Sequence, residues 1–177
     1  MVLTTSHSAS WRFIRQRSYR FIAFGFGAGL ARRAPGTWGT LVACPIMAVL
    51  LVAGLSDLLI AWLCVPLFAY GCYACGRTCR DLGVDDYGGV VWDEIVSMML
   101  VLAFAPNTVG GWIAAFLLFR LFDIFKPWPI RWIDSRVGGG LGVMLDDVLA
   151  AVFAIVGLEM LAWLGVLTQP AGMLRLI

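Results

Sequence analysis

Charge is scarce in this chain, and so are the side chains on which much covalent catalysis relies. Only 14% of its 177 residues are charged while 61% are hydrophobic, and the mean hydropathy is +0.88. That balance excludes an ordinary soluble domain and points to a membrane protein. Histidine occurs once, at His7, so histidine-based phosphoryl chemistry has no support. No cysteine is followed by arginine six positions on, and no Asp-x-Asp-x-Thr/Val stretch occurs; a cysteine phosphatase loop and that type of aspartyl nucleophile are both missing. The five cysteines, Cys44, Cys64, Cys72, Cys75 and Cys79, are odd in number and lie in or beside apolar runs, which argues against a disulfide framework. Cys72, Cys75 and Cys79 share a helical spacing but lack a fourth metal ligand, and read as packing residues. The first 33 residues contain no acid but six arginines. This bias speaks to membrane orientation; a nucleic-acid partner is not expected, because no basic groove or soluble binding module accompanies it.

What is present is a series of long apolar runs. Residues 34–56 and 58–76 carry no charge and are each long enough to cross a bilayer. A polar loop, 77–87, follows them. The next uncharged run, 95–119, is broken by Pro106-Asn107 and Gly110-Gly111, so it reads as a hairpin of two helices, about 90–105 and 109–125. A loop with Arg131, Asp134, Arg136 and three glycines leads to a last helix, about 143–164, interrupted by Glu159. The expected fold is all-α: a polytopic membrane bundle of about five transmembrane or membrane-embedded helices. Its organisation is a basic N-terminal interfacial segment (1–33), a single helical membrane domain (34–165) and a C-terminal tail (166–177). The segment's alternating arginines and aromatics suit an anionic lipid surface, with a disordered tail as the competing reading.

Placing the N-terminus in the cytoplasm puts the turns at Asp57 and Asn107 outside, with no Lys or Arg between them. The loops holding Arg77, Arg80, Arg131 and Arg136 then lie inside. Asp93, Glu94, Asp123, Asp146 and Asp147 all fall at the cytoplasmic ends of their helices. Two of these acid pairs sit in one repeated pattern, since Gly89-Val90-Val91-Trp92-Asp93-Glu94-Ile95 aligns with Gly142-Val143-Met144-Leu145-Asp146-Asp147-Val148 at an offset of 53 residues. Acids beside hydrocarbon need compensation, by Mg²⁺, by Arg or Lys, or by a shared proton. Adjacent helical residues point about 100° apart, so one member of a pair can face a common centre while the other turns aside; the sequence does not say which. Arg120, Asp123 and Lys126 recur every third residue on overlapping helix faces, as a phosphate clamp or as an ion-pair cap. Thr37 and Thr40, in the turn that opens the first span, are helix caps or phosphate donors. With histidine and cysteine chemistry absent, metal-activated water is favoured and an aspartyl phosphate stays open.

Four segments together resemble the bacterial phosphatidylglycerophosphatase A family. They are Ala34-Pro35-Gly36-Thr37-Trp38-Gly39-Thr40, Val91-Trp92-Asp93-Glu94-Ile95-Val96, Phe119-Arg120-Leu121-Phe122-Asp123-Ile124-Phe125-Lys126-Pro127-Trp128-Pro129-Ile130 and Gly139-Gly140-Leu141-Gly142-Val143-Met144-Leu145-Asp146-Asp147-Val148. Trp38, Thr40 and Ala150-Ala151 depart from the expected Phe, Ser and Ala-Gly. The resemblance implies an integral, Mg²⁺-dependent lipid phosphatase of the bacterial inner membrane with its active site facing the cytoplasm. Its substrate would be phosphatidylglycerophosphate, held among membrane lipids. On that footing Asp93, Glu94, Asp146 and Asp147 are expected metal ligands, and Asp123 is a further ligand or orients water. Asp93, Asp123 and Asp146 are the expected catalytic acids; Arg120, Lys126, Thr37 and Thr40 are expected to bind the phosphate. The competing functions are a phosphatase of another lipid or polyprenyl phosphate, a small ion-coupled transporter, and a structural membrane protein whose acids only close salt bridges. A transporter should carry its acids near the bilayer midplane, where only Glu159 comes close. Metal number and oligomeric state stay open.

Overall fold

A computed structural model of the protein describes residues 9–167. Residues 1–8, with His7, and 168–177 of the expected tail lie outside the described residues. The elements in order are α1 (Trp11–Arg15), α2 (Ser18–Ala23), a 3₁₀ stretch (Gly25–Leu30), α3 (Pro35–Val52), α4 (Asp57–Leu82), α5 (Trp92–Phe104), α6 (Val109–Phe125), α7 (Ile130–Asp134) and α8 (Gly139–Trp163). No strand occurs among the described residues.

Local chemistry sets the helix ends. The hydroxyls of Ser10, Ser56 and Thr108 accept hydrogen bonds from the amides of Phe13, Leu59 and Gly111 at 3.3, 3.3 and 3.0 Å, each satisfying a donor that the first helical turn leaves free. Pro35 opens α3, where its missing N–H is no loss. The break before α6 falls at Pro106, so the long run 95–119 does divide into two helices.

The bundle is organised around α5. Ten of its thirteen residues are buried, so this short helix is the axis on which α3, α4, α6 and α8 pack. The outer helices turn apolar faces outward: Val49 and Val52 on α3, Trp62 and Val65 on α4, Ile113 and Leu117 on α6, and Val152 and Val156 on α8 are all exposed. Lipid, which needs no hydrogen bonds from them, is the solvent that suits these faces. Helices α3, α4 and α8 are long and apolar enough to cross a membrane. The chain is therefore an all-helical, membrane-associated bundle of five principal helices, three of them of spanning length.

Two boundaries differ from the sequence expectation. Helix α4 runs on to Leu82 instead of yielding to a polar loop at residue 77. Its last turns are held by Asp81, which accepts from Tyr19 Oη at 2.6 Å and Arg20 Nε at 3.0 Å, with Arg77 at 3.7 Å on its other oxygen. The same clamp binds α2 to α4. The N-terminal segment thus buries Phe13, Ile14 and Phe24 against the protein, with Trp11, Arg12, Arg15 and Arg17 on its exposed side. Helix α8 begins at Gly139 rather than near Val143. There the backbones of α8 and α4 touch: a Cβ on Gly140 would collide with Cys72 O and lie 2.8 Å from Gly76 N. Only glycine allows that approach. The result is that the starts of α3, α5 and α8 and the ends of α4 and α6 gather at one end of the bundle.

Candidate active site

At that end the first turn of α5 meets the third turn of α8. Asp93, Glu94 and Asp147 each present a carboxylate oxygen, and these atoms lie within 4.8 Å of one another. Asp93 and Asp147 are 8% and 4% exposed. Asp93 Oδ1, Glu94 Oε2 and Asp147 Oδ2 are buried without any hydrogen-bond partner. At that separation each pair of charged carboxylates repels by about 3 kcal/mol, taking an effective dielectric constant of about 20. The α5 N-terminus offsets roughly 0.3–1 kcal/mol of this. Three repulsions exceed that help, so the charged cluster needs a cation, or else protons must neutralise it. Three convergent carboxylates are hard oxygen donors, and their unpartnered atoms fit a divalent ion such as Mg²⁺.

A guanidinium stands beside this cluster. Arg120, on the last turns of α6, engages Asp123 Oδ2 through Nη1 as a close ion pair. The same Nη1 lies 3.4 Å from Thr40 Oγ1, which itself donates to Gly36 O at 2.9 Å. Arg120 Nε is buried and unpartnered. Helix α3 comes close enough that a Cβ on Gly36 would collide with Glu94 Oε1 and sit 3.4 Å from Arg120 Nη1. Glycine is what lets the α3 N-terminus, the cluster and the guanidinium share one place.

Lys126 ends α6 in a left-handed conformation, φ 42°, which turns it toward the following elements. Its ammonium lies 2.5 Å from Asp146 Oδ2 and 3.1 Å from Asp134 Oδ1, joining α6, α7 and α8. Burial works against the charge on Lys126, but its bonds first to Asp146 and then to Asp134 outweigh that and hold its pKa above the usual lysine value. Lys126 is accordingly a cation throughout the physiological range.

The two acid pairs therefore converge on one cluster, and they do so unequally. Both acids of the first pair join it. Of the second pair only Asp147 does; Asp146, 5% exposed, turns aside to Lys126. Asp123, expected as a ligand or a water-orienting group, is engaged by Arg120. Thr40, expected as a phosphate donor, is fully buried and has given its proton to Gly36 O; it supports Arg120 instead. Lys126 is shared between two carboxylates rather than standing free for phosphate. Thr37 is half-buried in the first turn of α3. The sequence marks Gly36, with Pro35, as shaping the entry to the helix; its closeness to Glu94 and Arg120 is legible only in the fold.

Comparison with known proteins bears on this arrangement. The family model described as Phosphatidylglycerophosphatase A matches residues 21–162, which contain every side chain of the cluster and both cations beside it. A Haemophilus influenzae protein named Phosphatidylglycerophosphatase A is 48% identical over 136 residues, covering 76% of this chain and 83% of that protein. An Escherichia coli protein of the same name is 39% identical over 150 residues, 82% of this chain and 84% of its own length. A Bacteroides thetaiotaomicron protein, provisionally named a phosphatidylinositol-3-phosphatase, is 36% identical over 148 residues, 80% and 92% of the two chains. No solved structure matches the chain significantly. By the extent of the family match and by identity to relatives along most of their lengths, the chain belongs to the phosphatidylglycerophosphatase A family.

Proposed function

We propose that this protein hydrolyses the terminal phosphate monoester of phosphatidylglycerophosphate, giving phosphatidylglycerol and inorganic phosphate, at a bacterial inner membrane and from its cytoplasmic side. The observation that carries the reading is the buried Asp93, Glu94 and Asp147 cluster with its unpartnered oxygens, set beside Arg120 at one end of an apolar bundle. Family membership supplies the substrate class, and the names of the relatives supply the particular lipid. The cytoplasmic orientation rests on the arginine-rich first 33 residues.

Asp93, Glu94 and Asp147 would hold Mg²⁺, which when bound neutralises phosphate charge and activates water. Arg120 keeps one N–H, at Nε, free of protein partners, and that donor suits a phosphate oxygen. Asp123 and Thr40 fix the guanidinium so that it need not be ordered during the reaction. Asp146 and Asp134 fix Lys126 beside the acidic helix ends, adding positive charge for a dianionic headgroup. The apolar outer faces leave the lipid tails in the bilayer while the headgroup reaches the bundle end. Water adds to phosphorus, the P–O bond to the glycerol carbon chain breaks, and the departing oxygen takes up a proton, so the products balance as an alcohol and inorganic phosphate.

A panel assay tests the substrate. Purified protein should release phosphate from phosphatidylglycerophosphate at least about tenfold faster, in kcat/KM, than from a phosphatidylinositol monophosphate, and faster still than from soluble glycerol phosphate. The Bacteroides thetaiotaomicron relative's name makes the inositol lipid the informative competitor. Preference for that lipid would keep the enzyme class and overturn the substrate.

A further inference from the structure

The acidic cluster leaves one neighbouring polar group without a role. Ser97 lies on α5 four residues after Asp93 and three after Glu94, so a helix places it one turn deeper, under both acids. It is 0% exposed, and its hydroxyl has no hydrogen-bond partner. A serine inside a helix commonly returns its proton to the carbonyl four residues earlier, as Thr40 and Thr78 do here at 2.9 and 2.7 Å. Ser97 does not. Its neighbours above, Asp93 Oδ1, Glu94 Oε2 and Asp147 Oδ2, are equally unpartnered and buried. Orphan polar atoms rarely collect in one part of a packed interior without a bound water or ion to satisfy them.

We propose that Ser97 is a further residue of the site, a positioning residue whose hydroxyl holds an ordered water against the carboxylates of Asp93 and Asp147. The water takes the Ser97 proton and donates its own hydrogens upward to the two acids. This fixes their orientation for a divalent cation held by the cluster. Hydroxyls and waters that steady metal-binding carboxylates in this way typically change metal affinity by ten- to a hundredfold when removed. The inference rests on the reading of Asp93, Glu94 and Asp147 as cation ligands, and its test separates the two.

The probe is Mn²⁺ binding to the detergent-purified full chain, followed by the ion's spin resonance without any substrate. Wild type should bind Mn²⁺; Ser97→Ala should bind it about tenfold more weakly, and Ser97→Thr, which keeps the hydroxyl, should restore most of the loss. The melting temperature of metal-free Ser97→Ala should not fall, because the variant removes a hydroxyl that has no protein partner. Equal Mn²⁺ affinity in wild type and Ser97→Ala overturns the role of Ser97 while leaving the cation reading intact. Absence of binding in wild type overturns both. A loss in Ser97→Ala that Ser97→Thr does not restore, accompanied by a lowered metal-free melting temperature, shows a packing residue and also overturns the proposal.

Discussion

Asp147→Asn is expected to release phosphate from phosphatidylglycerophosphate about a thousandfold more slowly than wild type, a barrier increase of about 4 kcal/mol. The substitution keeps the side chain's shape and removes a charge from the three-carboxylate cluster. It also removes two of the three mutual repulsions, so the metal-free protein should melt at the same temperature or higher. Loss of activity together with unreduced stability is the signature of a residue held there for chemistry. Asp146→Asn should behave differently. That variant leaves the three clustered carboxylates in place and takes the charge from the 2.5 Å partner of Lys126 while the 3.1 Å contact to Asp134 persists. A decrease of about tenfold, with a lowered melting temperature, is the expected result. Phosphate release and thermal unfolding of the two purified variants, measured side by side, check both statements. Equal losses in the two would mean that the aspartates act as an equivalent pair.

Arg120→Lys should lower kcat/KM about a hundredfold although it preserves the charge. Lysine has no counterpart to the Nε–H that stays free while Nη1 holds Asp123 and Thr40. The ammonium would settle on Asp123, its nearest anion, and leave the phosphate position without a fixed donor. The effect should fall more on kcat than on KM, because a guanidinium aimed where charge develops acts mainly in the transition state. Steady-state kinetics on lipid dispersed in detergent micelles distinguishes this from a binding defect, which would raise KM alone.

The sequence shows most of the fold because hydropathy survives without tertiary context. Pro106 and the uncharged runs mark five principal helices, and α6 begins and ends at the expected residues. The misplaced boundaries are those that distant residues decide. Arg77, Arg80 and Asp81 look like loop residues until Tyr19 and Arg20 from the N-terminal segment clamp Asp81 and prolong α4. Gly140 looks like part of a linker until its closeness to Cys72 and Gly76 shows why glycine is required there within a helix. The N-terminal arginines and aromatics suggest a lipid surface, but alternation alone does not reveal that Phe13, Ile14 and Phe24 face protein.

For the site, the repeated acid pattern foretells that carboxylates from α5 and α8 gather at one end. It also suggests that Asp93 and Asp146 are equivalent, and there the symmetry fails. Which of two adjacent acids turns inward depends on where Lys126 emerges from α6, and that is set by a left-handed residue at a helix end. Ser97 drew no notice because one hydroxyl in an apolar helix resembles ordinary packing. Its spacing of three and four from the two acids was the available signal.

We propose that a divalent cation held by Asp93, Glu94 and Asp147 is required for hydrolysis of a lipid phosphate. The most direct measurement is phosphate release from phosphatidylglycerophosphate by the purified wild-type protein, stripped with a chelator and then titrated with Mg²⁺. The stripped protein should lose at least about a hundredfold in rate, and Mg²⁺ should restore it in a saturable manner. Full activity in the stripped, chelator-buffered protein would contradict the proposal.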